Sequence, residues 1–401
     1  MVIAAWILMA LSAVALVLFG AAIVATRRHV RAPVPELDSS VPLPPVSILK
    51  PLKGTEDSLE ANLRSFFEQD YDAPFEIVFS STEPDDPALD VARRVARAYP
   101  EVPARFVASD PDFGLNPKVA NLRGALRGAR YELVLQSDAN VRAQPDYLSR
   151  VVRELLASDG ALLSSLVVGE GERSLGAILD NVQLSAFTAP GCAFALQTIG
   201  LAVVIGKSML FRKRDLEEVG GLELVRDVLA EDYVLGRAFA QAGKRVVLSS
   251  TPAINVNCDT TVEHFVARHA RWLKMRATIH VPGFVGDLLS NPPALALLAV
   301  CASGFDPRFI AMFVGLTVVK AFGDNYLIAL TRGQPLRRSH RWLTPLRDLL
   351  MLGVWPYAAI SRSVEWRGRR LRLGWGTRLR PDDGPLPVRV ARRILALRLA
   401  P

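Results

Sequence analysis

Cysteine is scarce: Cys192, Cys258 and Cys301 are the only three in 401 residues, and they are scattered. An odd, unclustered set builds neither a disulfide framework nor a zinc-ligand spacing, which favours a reducing compartment. Histidine is nearly as rare, with five residues, and His264 and His269 stand five apart rather than at the i,i+4 spacing of a helical metal pair. No GxGxxG follows the first strand-like run and no GxxxxGK[ST] occurs. A dinucleotide fold and a phosphate-loop ATPase are therefore disfavoured. The basic residues cluster beside apolar segments without a nucleic-acid motif, so nucleic acid is not an expected partner. Residues 1–26 contain no charge at all.

What is present is apolar and basic. Half of the chain is hydrophobic, mean hydropathy is +0.22 and the formal charge is +8. Soluble domains rarely average so apolar, so part of the chain is expected in lipid, with anionic headgroups or phosphorylated small molecules as partners. The uncharged start lacks the basic head and short apolar core of a cleaved signal peptide, so 1–27 is read as a retained transmembrane anchor. Arg27, Arg28 and Arg31 follow it at once and place the next segment, by the positive-inside rule, in the cytoplasm. Apolar stretches return late. A pair of spans is expected over 284–304 and 306–331, with 349–360, which contains Pro356, re-entrant or interfacial. Lys320 and Asp324, four apart on one face, are expected to pair with each other inside the membrane. The chain thus divides into an anchor (1–27), a cytoplasmic catalytic domain (44–255), an interfacial segment (256–283), membrane helices (284–362) and a basic cytoplasmic tail (363–401).

Between the membrane segments, strand-like and helix-like runs alternate. "VSIL", "FEIVFSS", "ARFVAS", "YELVLQS", "VVIGKSMLF" and "KRVVLSS" read as strands. "SLEANLRSFFEQ" places Leu59, Leu63, Phe66 and Phe67 on one helical face. Asp86-Pro87 and Asn116-Pro117 each read as an N-cap followed by proline in the first turn. This alternation predicts an α/β domain with a mainly parallel sheet, whose ligands bind beyond the carboxyl ends of the strands. Those ends carry Lys50 and Lys53, then Glu83, then Asp138 and Asn140. Asp138 and Asn140 could hold a divalent ion bridging phosphate oxygens, or simply form an Asx turn. Lys118 could meet a phosphate or be a solvated lysine. Glu231 and Asp232 open a helix, where they either complement its dipole or form a general-base pair. Arg268, Arg271 and Trp272 share one helical face and suit either a phosphate clamp or an interfacial helix.

Taken together, "SILKPLKG", "DDPALDVARRVARAYP", "GLNPKVANL", "SDANVR", "GKSMLFRK", "LAEDY", "RHARW" and "EWRGRRLRL" resemble glycosyltransferase family 21 of bacterial type, the ceramide glucosyltransferase family. The resemblance implies an inverting GT-A fold, with an N-terminal transmembrane helix and C-terminal membrane helices. It implies Asp232, beside Glu231, as the general base. Asp138 would contact a divalent metal (Mg or Mn) together with Asn140. Lys53, Glu83, Lys118, Asp138, Arg268, Arg271 and Trp272 would line the UDP-sugar donor side. The DxD position reads Asp-Ala-Asn, and Glu83 stands where an aspartate is usual. The implied reaction is hexose transfer, glucose first, from a UDP-sugar to the primary hydroxyl of ceramide, at the bacterial inner membrane by a multi-pass protein facing the cytoplasm. The competing readings are N-acetylglucosaminyl transfer to a hopanoid lipid and a non-catalytic membrane scaffold.

Overall fold

The computed structural model describes residues 2–34, 37–38, 40–366 and 369–382. Eight strands form one mixed sheet: β1 (Val46–Pro51), β2 (Phe75–Ser81), β3 (Ala104–Ala108), β4 (Leu133–Ser137), β5 (Val141–Arg142), β6 (Leu162–Glu170), β7 (Ser208–Arg212) and β8 (Val246–Val256). Their order across the sheet is β3-β2-β1-β4-β7-β6-β8-β5. Strands β1 to β4 pair in parallel, and β7 runs antiparallel between β4 and β6. The chain leaves β1 toward β2 and β3, then returns to the other side of β1 with β4. The strand order reverses there, which opens a crevice beyond the carboxyl ends of β1 and β4.

Strands β1, β2 and β4 are buried on both faces, as near-continuous apolar runs require, while the edge strand β3 stays partly exposed. Ile48, Ile77, Phe79 and Leu135 point to one layer, where the helices Leu59–Phe67, Pro87–Ala98 and Tyr147–Ala157 pack with Leu63, Phe66, Leu148 and Val151. Their neighbours Leu49, Val78 and Val134 point the other way, against Val119 and Leu122 of the helix Pro117–Gly128 and Phe239 of the helix Glu231–Gln241. Both expected caps form. Asp86 accepts the Ala88 amide at 2.9 Å, and Asn116 accepts those of Lys118 and Val119 at 2.9 and 3.1 Å. The run 203–211 becomes a strand only from Ser208, because the backbone at Ile205 and Gly206 is engaged by the side chains of Ser164, Lys118 and Asp232.

Val2–Arg31 is one continuous apolar helix, and Pro307–Arg332 is the second helix long and apolar enough to cross a bilayer. The expected span over 284–304 is instead two helices, Val281–Leu289 and Pro292–Ala302, bent by 68°. Asn291-Pro292-Pro293 breaks the hydrogen-bond ladder there and restarts a helix capped by Asn291. Thr344–Ile360 is a single helix that keeps Pro356 inside it. Within the basic segment that begins at 363, β9 (Ser363–Trp366), β10 (Arg369–Leu373) and β11 (Leu379–Pro381) form an antiparallel sheet. Residues 367–368 and 383–401 lie outside the described residues.

The Lys320–Asp324 pair forms, at 2.8 Å, within a larger set. Lys320 also reaches Asp348 at 3.0 Å, and Arg347 reaches Asp348 at 3.0 Å and Asp324 at 3.7 Å. All four side chains are buried, and their charges cancel. Removing one member leaves a buried charge uncompensated, which costs about 3–5 kcal/mol. Lys320→Met is therefore expected to lower the thermal midpoint of the purified protein strongly. Adding Asp324→Leu, which restores neutrality, is expected to recover most of that loss.

Candidate active site

The crevice beyond β1 and β4 is organised around one lysine. Lys118, in the first turn of the Pro117–Gly128 helix, lies 2.9 Å from Glu231 Oε1 and 3.1 Å from Asp138 Oδ1. Its ammonium also donates to the Gly206 carbonyl at 2.9 Å. Burial disfavours its charged form, but Asp138, Glu231 and Asp232 together outweigh that and hold its pKa above the usual lysine range. Asn116 does more than cap this helix: its Nδ2 donates to the Val228 carbonyl at 2.6 Å, so the loop that leads to Glu231 is tied to the lysine's own helix.

Asp138 is ringed by ammonium groups. Lys207 Nζ lies 3.2 Å from its Oδ2 and donates to Asn140 Oδ1 at 2.7 Å, so one cation bridges the aspartate and the asparagine. Lys50, fully buried over the Phe66 ring, donates to Ser137 Oγ at 3.0 Å and to the Asp138 carbonyl at 3.1 Å. Burial opposes ionisation of Asp138, yet Lys118 and Lys207 hold its carboxyl well below the usual range. Burial pushes the pKa values of Lys50 and Lys207 down. Asp138 Oδ1 has no hydrogen-bond partner, although Lys118 is near. Among the described residues no three His, Cys, Asp or Glu side chains converge to hold a metal ion. Lys118 and Lys207 face the two oxygens of Asp138, and Asn140 Oδ1 receives Lys207, so a divalent ion sharing its shell with phosphate oxygens would take the place of an ammonium group here.

Asp232 is held differently from its neighbour. Its Oδ2 accepts the Gly206 amide at 2.6 Å and its Oδ1 the Tyr233 amide at 2.8 Å. Surrounding protein desolvates the carboxyl, and Glu231 repels its charge. Lys118 offsets only part of this, and the pKa rises to about 6. The two carboxylates of the ED pair are thereby separated in role: Glu231 is the ion-pair partner of Lys118, and Asp232 is poised to exchange a proton near neutral pH.

The basic-aromatic helix, Val262–Ile279, adjoins this cluster. Arg268 pairs with Asp180 and donates to Asn257 Oδ1 at 3.3 Å. His269 Nε2 lies 2.7 Å from the other Asp180 oxygen, and the Trp272 ring stands edge-on to His269 at 5.3 Å. Asp180 is fully buried, but Arg268 and His269 keep its pKa low. The two clusters meet through the end of β8, where the Val256 amide binds the Asn140 carbonyl at 2.8 Å and Asn257 receives Arg268. Lys207 and Arg268 are close enough to influence each other's charge.

Residues 5–379 match the family described as Glycosyl transferase family 21. The chain belongs to that family. Among similar curated proteins are ceramide glucosyltransferases 1 and 3 of Caenorhabditis elegans. They are 26% and 28% identical, and the matches cover 86% of this chain and 75% of each relative. The ceramide glucosyltransferase of Komagataella phaffii is 26% identical, over 83% of this chain and 84% of its own. A solved mannosyltransferase of Pyrobaculum calidifontis, in complex with GDP-Man and Mn2+, aligns at 17% identity with a TM-score of 0.49, over 88% of this chain and 99% of its own. This family 21 protein is a glycosyltransferase, with an α/β domain and apolar helices that associate it with a membrane.

In this glycosyltransferase, Lys118, Asp138, Asn140, Glu231 and Asp232 come together, Arg268 adjoins them through Asn257, and Trp272 packs against His269. Arg271 lies on the same helix. Lys53 and Glu83 pair with each other at the exposed rim, outside the buried ion cluster. Sequence reasoning missed Lys207, Gly206, Asp180 and His269 as parts of the site. A signal existed for Asp180, a lone carboxylate in the apolar run "LGAILDNVQLSAF".

Two outcomes follow from this geometry. A Cβ at Gly206 would sit 2.9 Å from Lys118 Nζ and 3.1 Å from Asp232 Cβ. The lysine tip can move but the aspartate stem cannot, so Gly206→Ala should lower kcat by at least about tenfold in a transfer assay, while circular dichroism stays unchanged. If Asp232 acts ionised, kcat/KM should fall with an acid limb near pH 6. Lys118→Met removes a cation that favours the ionised form, so the limb should move to higher pH.

Proposed function

We propose that this protein transfers a hexose, glucose first, from a UDP-sugar to the primary hydroxyl of ceramide with inversion. The observation that carries this reading is Asp232: a carboxyl raised to about 6 and oriented by two backbone amides, next to the ion cluster around Asp138. The names of the curated relatives support ceramide as acceptor and glucose as the sugar, and they favour it over a hopanoid acceptor or a scaffold without catalysis.

In the proposed reaction the Asp232 carboxylate takes the proton of the lipid hydroxyl as that oxygen attacks the anomeric carbon. Gly206 and Tyr233 hold the carboxylate in place, so the proton acceptor needs no reorganisation. The departing diphosphate leaves on the opposite face, which converts an α-linked donor into a β-linked product. Arg268, Arg271 and the ammonium groups of Lys118 and Lys207 supply the positive charge that the diphosphate side requires. Asp138 and Asn140 would hold a divalent ion, Mg or Mn, whose charge would add to that neutralisation. Trp272 would border the sugar and the acceptor mouth, and Lys53 and Glu83 the outer donor side. The arginines at the C-terminal end of the first helix argue for a catalytic domain on the cytoplasmic face of a bacterial inner membrane, where a multi-pass protein meets both a soluble nucleotide-sugar and a lipid.

General-base removal typically costs 10²–10⁴-fold, so Asp232→Asn should reduce UDP release in the presence of ceramide and UDP-glucose about a thousandfold while nucleotide binding persists. Release at the wild-type rate would sink the assignment of the base. A panel of UDP-sugars, with the lipid product identified by mass, tests the sugar.

A further inference from the structure

Where the Val262–Ile279 helix meets the membrane helices, a second crevice opens, walled by Phe187, Leu273, Met351 and Trp355. Two of its lining side chains are buried polar groups with unmet hydrogen bonds. Gln183 is 4% exposed and its Oε1 has no partner. Arg347 is 2% exposed; its Nη1 reaches Asp348, but its Nε and Nη2 have no hydrogen-bond partner, with Asp324 too distant at 3.7 Å. A buried acceptor and a buried donor left unsatisfied in one crevice, whose wall also carries His269, Arg276 and Asp287, are costly unless a ligand completes them.

The position of the crevice ties it to the site. Gln183 stands one turn after Asp180, the residue that anchors Arg268 and His269, and it immediately precedes a π-helical turn, Leu184–Thr188. That turn brings Phe187 and Thr188 to the crevice wall; π turns recur at functional sites. His269, also on the wall, shares Asp180 with Arg268, so the crevice adjoins the basic side of the candidate site.

We propose that this crevice is the subsite for the secondary amide of an N-acylated lipid acceptor, with Gln183 Oε1 receiving the amide N–H and Arg347 donating to the amide carbonyl. The apolar walls take the first carbons of the two chains, and the hydroxyl is thereby presented toward Asp232. A trans secondary amide offers a donor on one edge and an acceptor on the opposite edge, one for the unmet acceptor and one for the unmet donor of the crevice. This rests on the reading of the protein as a glycosyltransferase for ceramide-like lipids, and it adds how such a lipid is told from one without an amide.

The test compares two acceptors of identical chain length in the full-length enzyme: a ceramide, and its analogue in which the amide nitrogen is replaced by ester oxygen. Loss of one hydrogen bond to a buried group predicts a KM about tenfold higher for the ester, with little change in kcat. In Gln183→Leu the ratio of the two KM values should collapse toward one. Equal KM values in the unaltered enzyme, or a preference that survives in Gln183→Leu, would overturn the subsite. Should the variant fail to bind UDP, and so be misfolded, the comparison in the unaltered enzyme decides alone. If neither lipid is glycosylated with any UDP-sugar, the ceramide reading itself falls, and the subsite with it.

Discussion

The site depends on one buried ammonium. Lys118 joins the helix after β3, the residue that ends β4, the ED pair and the backbone before β7. The ED pair and the backbone before β7 come from segments about 70 to 110 residues farther along the chain than the lysine's helix and β4. A charge so placed is tolerated only because carboxylates and a carbonyl surround it, and each of those groups is in turn kept ionised or oriented by the lysine. Asp232, which the protein desolvates and Glu231 repels, is the carboxylate whose pKa climbs to about 6, while Glu231 pairs with the lysine.

The same logic recurs toward the membrane. Asp180, without exposure, is kept ionised by Arg268 and His269, and the buried set of Lys320, Asp324, Arg347 and Asp348 cancels its own charge. The helix Val262–Ile279 lies between these groups and the catalytic cluster, with one side toward Asn257 and the other toward the helix Thr344–Ile360. A soluble nucleotide-sugar and a lipid can meet at such a boundary without the lipid leaving the bilayer. The small sheet of β9, β10 and β11 closes the other flank: Thr377 receives the amides of Leu229 and Ala230, just before the ED helix.

Much of the α/β domain was legible because its signals are local. Two-sided apolar runs mark parallel strands, and Asp86-Pro87 and Asn116-Pro117 mark helix starts by side-chain capping, which needs no distant partner. Asp138, Glu231, Asp232 and Arg268 were legible through motif order rather than physics, since each alone had an equally good bland reading. The break at Asn291 was hidden inside a hydropathy average, which records apolarity but not the missing amides of two prolines. Lys207 and Gly206 read as part of a strand, because nothing local reveals that Asp138 and Asp232 arrive from elsewhere to hold them.

Sequence by itself determined the composition of this protein's parts: an uncharged N-terminal helix, a strand-helix domain, an acidic pair and a basic-aromatic helix. Periodicity, capping and hydropathy are properties of neighbouring residues, so they survive without coordinates. Which acid pairs with the lysine, which has its pKa raised, and which buried polar groups remain unmatched were decided only by tertiary structure. Burial and the distance between charges, on which pKa and hydrogen-bond satisfaction depend, exist only once segments far apart in the chain are brought together.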